Sequence, residues 1–175
     1  AAKVDITERK RAEQALRESE ERIRSILDTT VNGIITINER GIVESFNRAA
    51  RSMFGYAENE VIGQNISMLM PEPYHTEHDG HIDNYLRTGT KKIIGIGREV
   101  TGLRKNGTTF PMSLAVSEVL IGDLHLFTGI AQDITERKQA EQATEREKQK
   151  YEELFNTAQR QAQEMALLNK VQTAL

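Results

Sequence analysis

Six residues near the start of the chain, Asp5-Ile6-Thr7-Glu8-Arg9-Lys10, recur unchanged at Asp133 to Lys138. Ala12-Glu13-Gln14 recurs as Ala140-Glu141-Gln142 at the same offset of 128. A repeat at one spacing defines the unit of folding before any element is assigned. The 175 residues hold one such unit in full, preceded by the tail of another copy or by a duplicated linker. That is the size of one ordinary domain. Each Asp-Ile-Thr-Glu places a potential N-cap carboxylate three positions before a glutamate, the capping-box pattern, so both copies are expected to start helices. After Asp133 no Gly or Pro interrupts the chain as far as Leu175. Leu154, Leu168 and Leu175, with Gln161 in the gap, keep a seven-residue spacing beside Tyr151, Ala158 and Met165. This reads as a coiled-coil seam for a second copy of the chain, the plainer option being one amphipathic helix packed on its own domain. The expected division is a linker helix over 1–22, a folded domain over 23–133 and a C-terminal coiled-coil signalling helix over 134–175.

Between the helices the apolar period changes to two. Gly33 to Ile37 and Ile42 to Asn47, joined by Asn38-Glu39-Arg40-Gly41, read as a hairpin. Asn106-Gly107 joins Arg98–Arg104 to Thr108–Val119, and its Asn-Gly pair suggests a type I′ turn with positive φ at both central residues. Phe110, Met112, Leu114 and Val116 alternate with small or polar residues, which gives that strand one apolar face. Pro111 suggests a strand not paired on both sides at that point. Gly122-Asp123 leads into the last strand, Leu124–Gln132. Arg48–Gly55, Glu58–Ile62 and Tyr74–Thr88 read as helices closed by Gly55, Gly63 and Gly89. The expected class is α+β: a five-stranded antiparallel sheet with helices on one face and coiled-coil helices at both ends.

Composition narrows the chemistry. With no cysteine there is no disulfide, thiolate metal site or thiol adduct. A net charge of −3, with basic and acidic residues interleaved, argues against nucleic acid as a partner. No run approaches the ~20 apolar residues of a membrane helix, and a cytoplasmic location is expected. No nucleophile elbow, phosphate loop or His-Glu-x-x-His pair is present, so an enzyme is not expected from these residues. Three histidines, His75, His78 and His81, lie three apart on one expected helix. His78 falls within the apolar arc of Tyr74, Ile82 and Tyr85, with the other two about 60° to either side. An inward histidine is either a core residue bonded to a carbonyl or the single imidazole ligand of a flat metal-bearing cofactor.

The segment "MPEPYHTEHDGHIDNYLRTGTKKIIGIGREVTGLRKNGTTFPMSLAVSE", with "FGYAENEVIGQN" and "FTGIAQDITER", resembles PAS domains, and among them the haem-bearing PAS domains of FixL-type oxygen-sensor histidine kinases. The resemblance spans Ile23 to Arg137. It implies haem b as cofactor, His78 as the proximal iron ligand, and Arg98 as the distal arginine that exchanges a propionate for bound oxygen. It also implies that Ile93, Leu114 and Val116 wall the ligand side. Met112 shares the strand face of Leu114 and Val116, and Tyr85 completes the expected pocket. A propionate-holding arginine of the family falls on Asn84, and a second basic neighbour on Lys92. Asp133 and Thr135 are the expected relay residues at the strand-to-helix junction. The implied function is a regulatory sensor module binding oxygen or another diatomic gas, dimeric through its coiled coil and driving an output domain of the same chain. The alternative is a cofactor-free PAS dimerisation and relay module. A flavin is disfavoured by the absence of both Cys and Trp.

Overall fold

The computed structural model describes residues 2–89, 95, 97–122 and 124–172, with side chains described between 8 and 165 of these. Two units divide at Ile134/Thr135. The first begins with helix α1 (Ala2–Thr29), then strands β1 (Gly33–Asn38) and β2 (Val43–Phe46), helices α2 (Arg48–Phe54) and α3 (Glu58–Val61), and a 3₁₀ turn (Ile66–Leu69). Helix α4 (Tyr74–Thr88) precedes strands β3 (Arg98–Leu103), β4 (Thr109–Ile121) and β5 (Leu124–Asp133). The second unit is the helix α5 (Thr135–Gln172).

The sheet is antiparallel throughout, in the order β2-β1-β5-β4-β3. The last strand therefore lies in the middle, and the sheet closes only when β5 inserts between β1 and β4. Along β4 the alternation turns Phe110, Met112, Leu114 and Val116 toward the helices. On that side Phe54 is fully buried, with its ring 6.3 Å from Phe46 and 5.4 Å from Phe110, edge-on to the latter. Val43, Val61 and Leu69 fill the same core. Asn47 ties three elements together. Its Oδ1 accepts from Ala50 N, capping α2, and from Ile34 N of β1, while its Nδ2 donates to the Leu27 carbonyl of α1 at 2.9 Å. Gly55 and Gly89 close α2 and α4 in the left-handed region that favours glycine.

Three sequence expectations are corrected. Helix α1 is already helical at Asp5, so the first Asp-Ile-Thr-Glu lies inside a helix rather than opening one. The second copy does start a helix as expected, but α5 opens at Thr135, which leaves Ile134 rather than Asp133 directly before the first helical residue. The Asn106-Gly107 hairpin is not type I′: only Gly107 has positive φ (81°), and Gly107 N donates to the Arg104 carbonyl. That is a type I turn followed by a left-handed glycine, with Asn106 Oδ1 accepting from Thr108 N. The boundary expected at 22/23 falls within α1, which continues to Thr29. Pro111 faces β3 through Thr101, and the β5 ladder begins one residue later at Met112.

Gly102 stands opposite Phe110, and a Cβ there would lie 2.6 Å from the ring. Phe110 is itself held between Phe54 and Arg104 and cannot swing aside. Gly102→Ala is therefore expected to destabilise the domain by about 1–3 kcal/mol through overpacking, measured by urea unfolding. An unchanged midpoint would mean that the ring is free to move.

Candidate functional site

One cavity of about 200 Å3 lies between α4 and the inner sheet face. Its floor is apolar: Ile35 and Ile37 from β1, Met112, Leu114 and Val116 from β4, and Phe127 from β5. Helix α4 closes it with His78, His81, Ile82, Asn84 and Tyr85, and Arg98 at the start of β3 reaches its edge. Of the expected pocket residues, His78, Arg98, Met112, Leu114, Val116 and Tyr85 thus surround a single cavity. Ile93 and Lys92 lie outside the described residues. Asp133 and Thr135 are not among the described cavity residues. They stand at the end of β5 and the start of α5.

The histidines separate by environment. His75 is exposed, with Nδ1 2.8 Å from the Ser67 carbonyl, and His81 is exposed at the cavity edge. The His78 side chain is only 18 % exposed, and its Nδ1 is buried without a hydrogen-bond partner. The nearest carboxylate, Asp79, is 3.7 Å away, beyond hydrogen-bond distance, and is itself held by the Asn65 amide at 2.9 and 3.0 Å. Burial lowers the pKa of His78 below the ordinary 6.5, and the Asp79 charge only partly opposes this. The ring is thus neutral at pH 7. A buried polar atom without a partner is uncommon in a native core and marks a site worth explaining.

Because the folded chain holds His78 neutral, it binds fewer protons there than the unfolded chain once the pH falls below about 6.5. Stability contributed by the neutral ring is therefore lost as the pH drops from 6.5 toward its lowered native value. His78→Leu removes that dependence, so melting temperatures between pH 7.5 and 5.5 should fall less steeply for the variant than for the parent. Equal slopes would place the acid sensitivity elsewhere.

Two residues outside the cavity lining that hold neighbouring elements in place did not stand out in the sequence. Glu118 continues the inward alternation of β4, and its carboxylate accepts from the Tyr85 hydroxyl at 2.5 Å and pairs with His125 Nδ1 at 2.9 Å. Its phase with Phe110, Met112, Leu114 and Val116 was the available signal. Arg104, in the β3–β4 turn, donates to the Met53 carbonyl, meets the Asp133 carboxylate at 2.7 Å and lies 3.9 Å from the centre of the Phe110 ring. No local pattern marks it.

A five-stranded antiparallel sheet whose helices enclose a largely apolar cavity defines an α+β fold with an internal pocket, and a family model described as the PAS fold matches residues 21–134. The chain belongs to the PAS family. It is 47 % identical over 138 residues to Sensor protein FixL of Bradyrhizobium diazoefficiens, covering 79 % of this chain and 27 % of that protein. It is 28 % identical over 129 residues to the cell-division control histidine kinase PdhS of Brucella anthropi, covering 74 % of this chain and 12 % of that one. The chain thus spans about a quarter or less of the length of these relatives. The PAS domain of an HTR-like protein from Haloarcula marismortui superposes with a TM-score of 0.58 at 21 % identity, over 71 % of this chain and 99 % of that chain, a likeness of fold. Among the described residues no helix is long and apolar enough to cross a membrane.

Proposed function

We propose that this PAS domain is the sensor segment of a signalling kinase, that it holds haem b through His78, and that it responds to oxygen or another diatomic gas. The observation that carries this reading is the His78 imidazole, neutral, largely buried and without a partner at Nδ1 in the wall of a mostly apolar cavity. Similarity to FixL supports it. When bound, haem supplies an iron centre that takes a diatomic gas. His78 would offer it a neutral nitrogen, Met112, Leu114 and Val116 a dry wall against the macrocycle, and Arg98 a fork of N–H donors at the cavity edge. Asn84, where the resemblance implies an arginine, leaves less positive charge for a propionate.

The sheet register suggests how the site reaches both ends of the domain. Arg98 faces Leu114, Leu114 faces Ala131, and Ala131 faces Gly33, so one row crosses from the cavity edge to the start of β1. Ala131 is two residues before Asp133, and Gly33 four residues after α1 ends. In this reading Asp133 and Thr135 carry the response into α5, whose exposed Tyr151, Leu154, Ala158, Gln161 and Met165 form the described part of a seam for a parallel second copy. Leu168 and Leu175 lie outside the described side chains. The output domain would be a further part of the same protein, of the kind that PdhS, a histidine kinase matched over 12 % of its length, carries beyond this segment.

The cavity volume favours the second reading, a cofactor-free relay module. At about 200 Å3 it is below the roughly 300–1,000 Å3 of small-molecule sites, so a porphyrin requires α4 to move away from the sheet. Titration of the full chain with haem, followed by visible absorption and thermal melting, separates the two. A saturable Soret band with a raised melting temperature is expected. A linear, nonspecific slope with no thermal shift would overturn the haem reading in favour of the relay module.

A further inference from the structure

Helix α4 roofs the cavity with side chains that are only partly buried, His78, Ile82 and Tyr85 among them, and none of its residues is fully buried. Its N-terminal half is tied to the 3₁₀ turn and the residue before it, by His75 on the Ser67 carbonyl and Asp79 on the Asn65 amide. Its C-terminal half reaches the sheet through Tyr85. The Tyr85 ring forms part of the cavity wall, 5.8 Å from Phe127 and nearly perpendicular to it. The Tyr85 hydroxyl donates to Glu118 Oε2, and the other oxygen of the same carboxylate accepts from His125 Nδ1. Glu118 lies beside Phe127, and His125 beside Leu120, on the paired strands β4 and β5. The carboxylate is thus gripped from its own sheet on one oxygen and presents the other to the helix, with only 17 % of its side chain exposed. Hydrogen bonding to Glu118 raises the Tyr85 pKa, so the phenol remains a donor at neutral pH.

We propose that Tyr85, Glu118 and His125 form a latch that holds the C-terminal half of α4 closed over the cavity and must open for the cavity to take up its occupant. The inference rests on the reading that the cavity is loaded, and the geometry gives it a direction. The cavity is smaller than a large planar ligand needs, α4 is a wall with no fully buried residue, and Tyr85 is where that wall is hydrogen-bonded to β4. A bond to a half-buried carboxylate holds a helix end more firmly than a neutral one. His125 acts as a positioning residue, since it touches the carboxylate and not the cavity.

Amide hydrogen exchange on the full chain, with no ligand added, tests the latch directly. Tyr85→Phe keeps the ring on Phe127 and removes only the hydroxyl, and is expected to speed exchange of amides 82–88 about tenfold while the paired centre of β4 and β5 is unaffected. Glu118→Ala should match it, and the double variant should add little, because both remove the same bond. His125→Ala should give a smaller increase. With haemin as probe, stopped-flow uptake should rise by the same factor in Tyr85→Phe. Unchanged exchange over 82–88, additive single variants, or His78-dependent haemin uptake at an unaltered rate would each overturn the latch. Faster exchange in a chain that gives no Soret band would uphold the latch and overturn the haem reading instead.

Discussion

His78→Ala is expected to abolish the Soret band that haem produces with the parent chain, while His75→Ala and His81→Ala retain it. The three side chains sit on one helix with the same chemistry and differ only in surroundings. His75 is occupied by the Ser67 carbonyl and faces solvent, and His81 is exposed at the edge. His78 alone of the three is half-buried in the cavity wall with an imidazole nitrogen that lacks a protein partner. A neutral imidazole ligates iron and a protonated one does not, so the lowered pKa of His78 widens the range of acidity over which it is available. Ligand binding to the folded state alone adds about 2.7 kcal/mol at a free concentration 100 times the dissociation constant, and the alanine variant should lose that gain entirely. The measurement is a melting temperature with and without haem for each variant, beside the spectrum. If all three variants keep both band and thermal shift, the iron ligand is not on α4.

The same contrast shows what local pattern reveals. His78 was legible because helical phase is a local property: its neighbours Tyr74, Ile82 and Tyr85 place it on the inward arc without knowledge of what lies opposite. The inward stripe of β4 was legible by period two for the same reason, and the closing glycines of α2 and α4 by their left-handed conformation. The hairpin at Asn106-Gly107 was located but mistyped, because an Asn-Gly pair suits more than one turn and the choice is made by the phase of the strands it joins. The insertion of β5 between β1 and β4 depends on pairings such as Gly33 with Ala131, nearly a hundred residues apart, which no local signal encodes. Glu118 shares the inward phase of β4, but phase alone names no partner for its carboxylate. Its role appears only when Tyr85, 33 positions earlier, is brought over it. The relay residues carry a similar lesson, for a strand-to-helix junction is local but the arginine that holds it is not.

That arginine carries the last expected result. Arg104→Ala should destabilise the domain by about 3 kcal/mol and loosen the end of β5 more than its middle. One guanidinium performs three tasks at once. It donates to the Met53 carbonyl in the last turn of α2, pairs with Asp133 at 2.7 Å, and stacks on the buried Phe110 ring at 3.9 Å. The exposed-pair rule would assign the ion pair less than about 1 kcal/mol, but here both side chains are about two-thirds buried, at 27 % and 32 % exposure. The stacking adds a comparable amount, and a carbonyl deprived of its donor adds more. Arg104→Lys is the informative companion. It keeps the charge for Asp133 but has no planar fork to serve the carbonyl and the ring together, so it should recover well under half of the loss. Because Asp133 ends β5 and Ile134 alone precedes α5, hydrogen exchange of the first α5 amides, 135–138, should rise in step with that at Asp133. Urea unfolding gives the first quantity and exchange the second. Full rescue by lysine would reduce Arg104 to a charge partner. Unchanged exchange over 135–138 would separate the end of the sheet from the helix that follows it and remove Asp133 from the proposed relay.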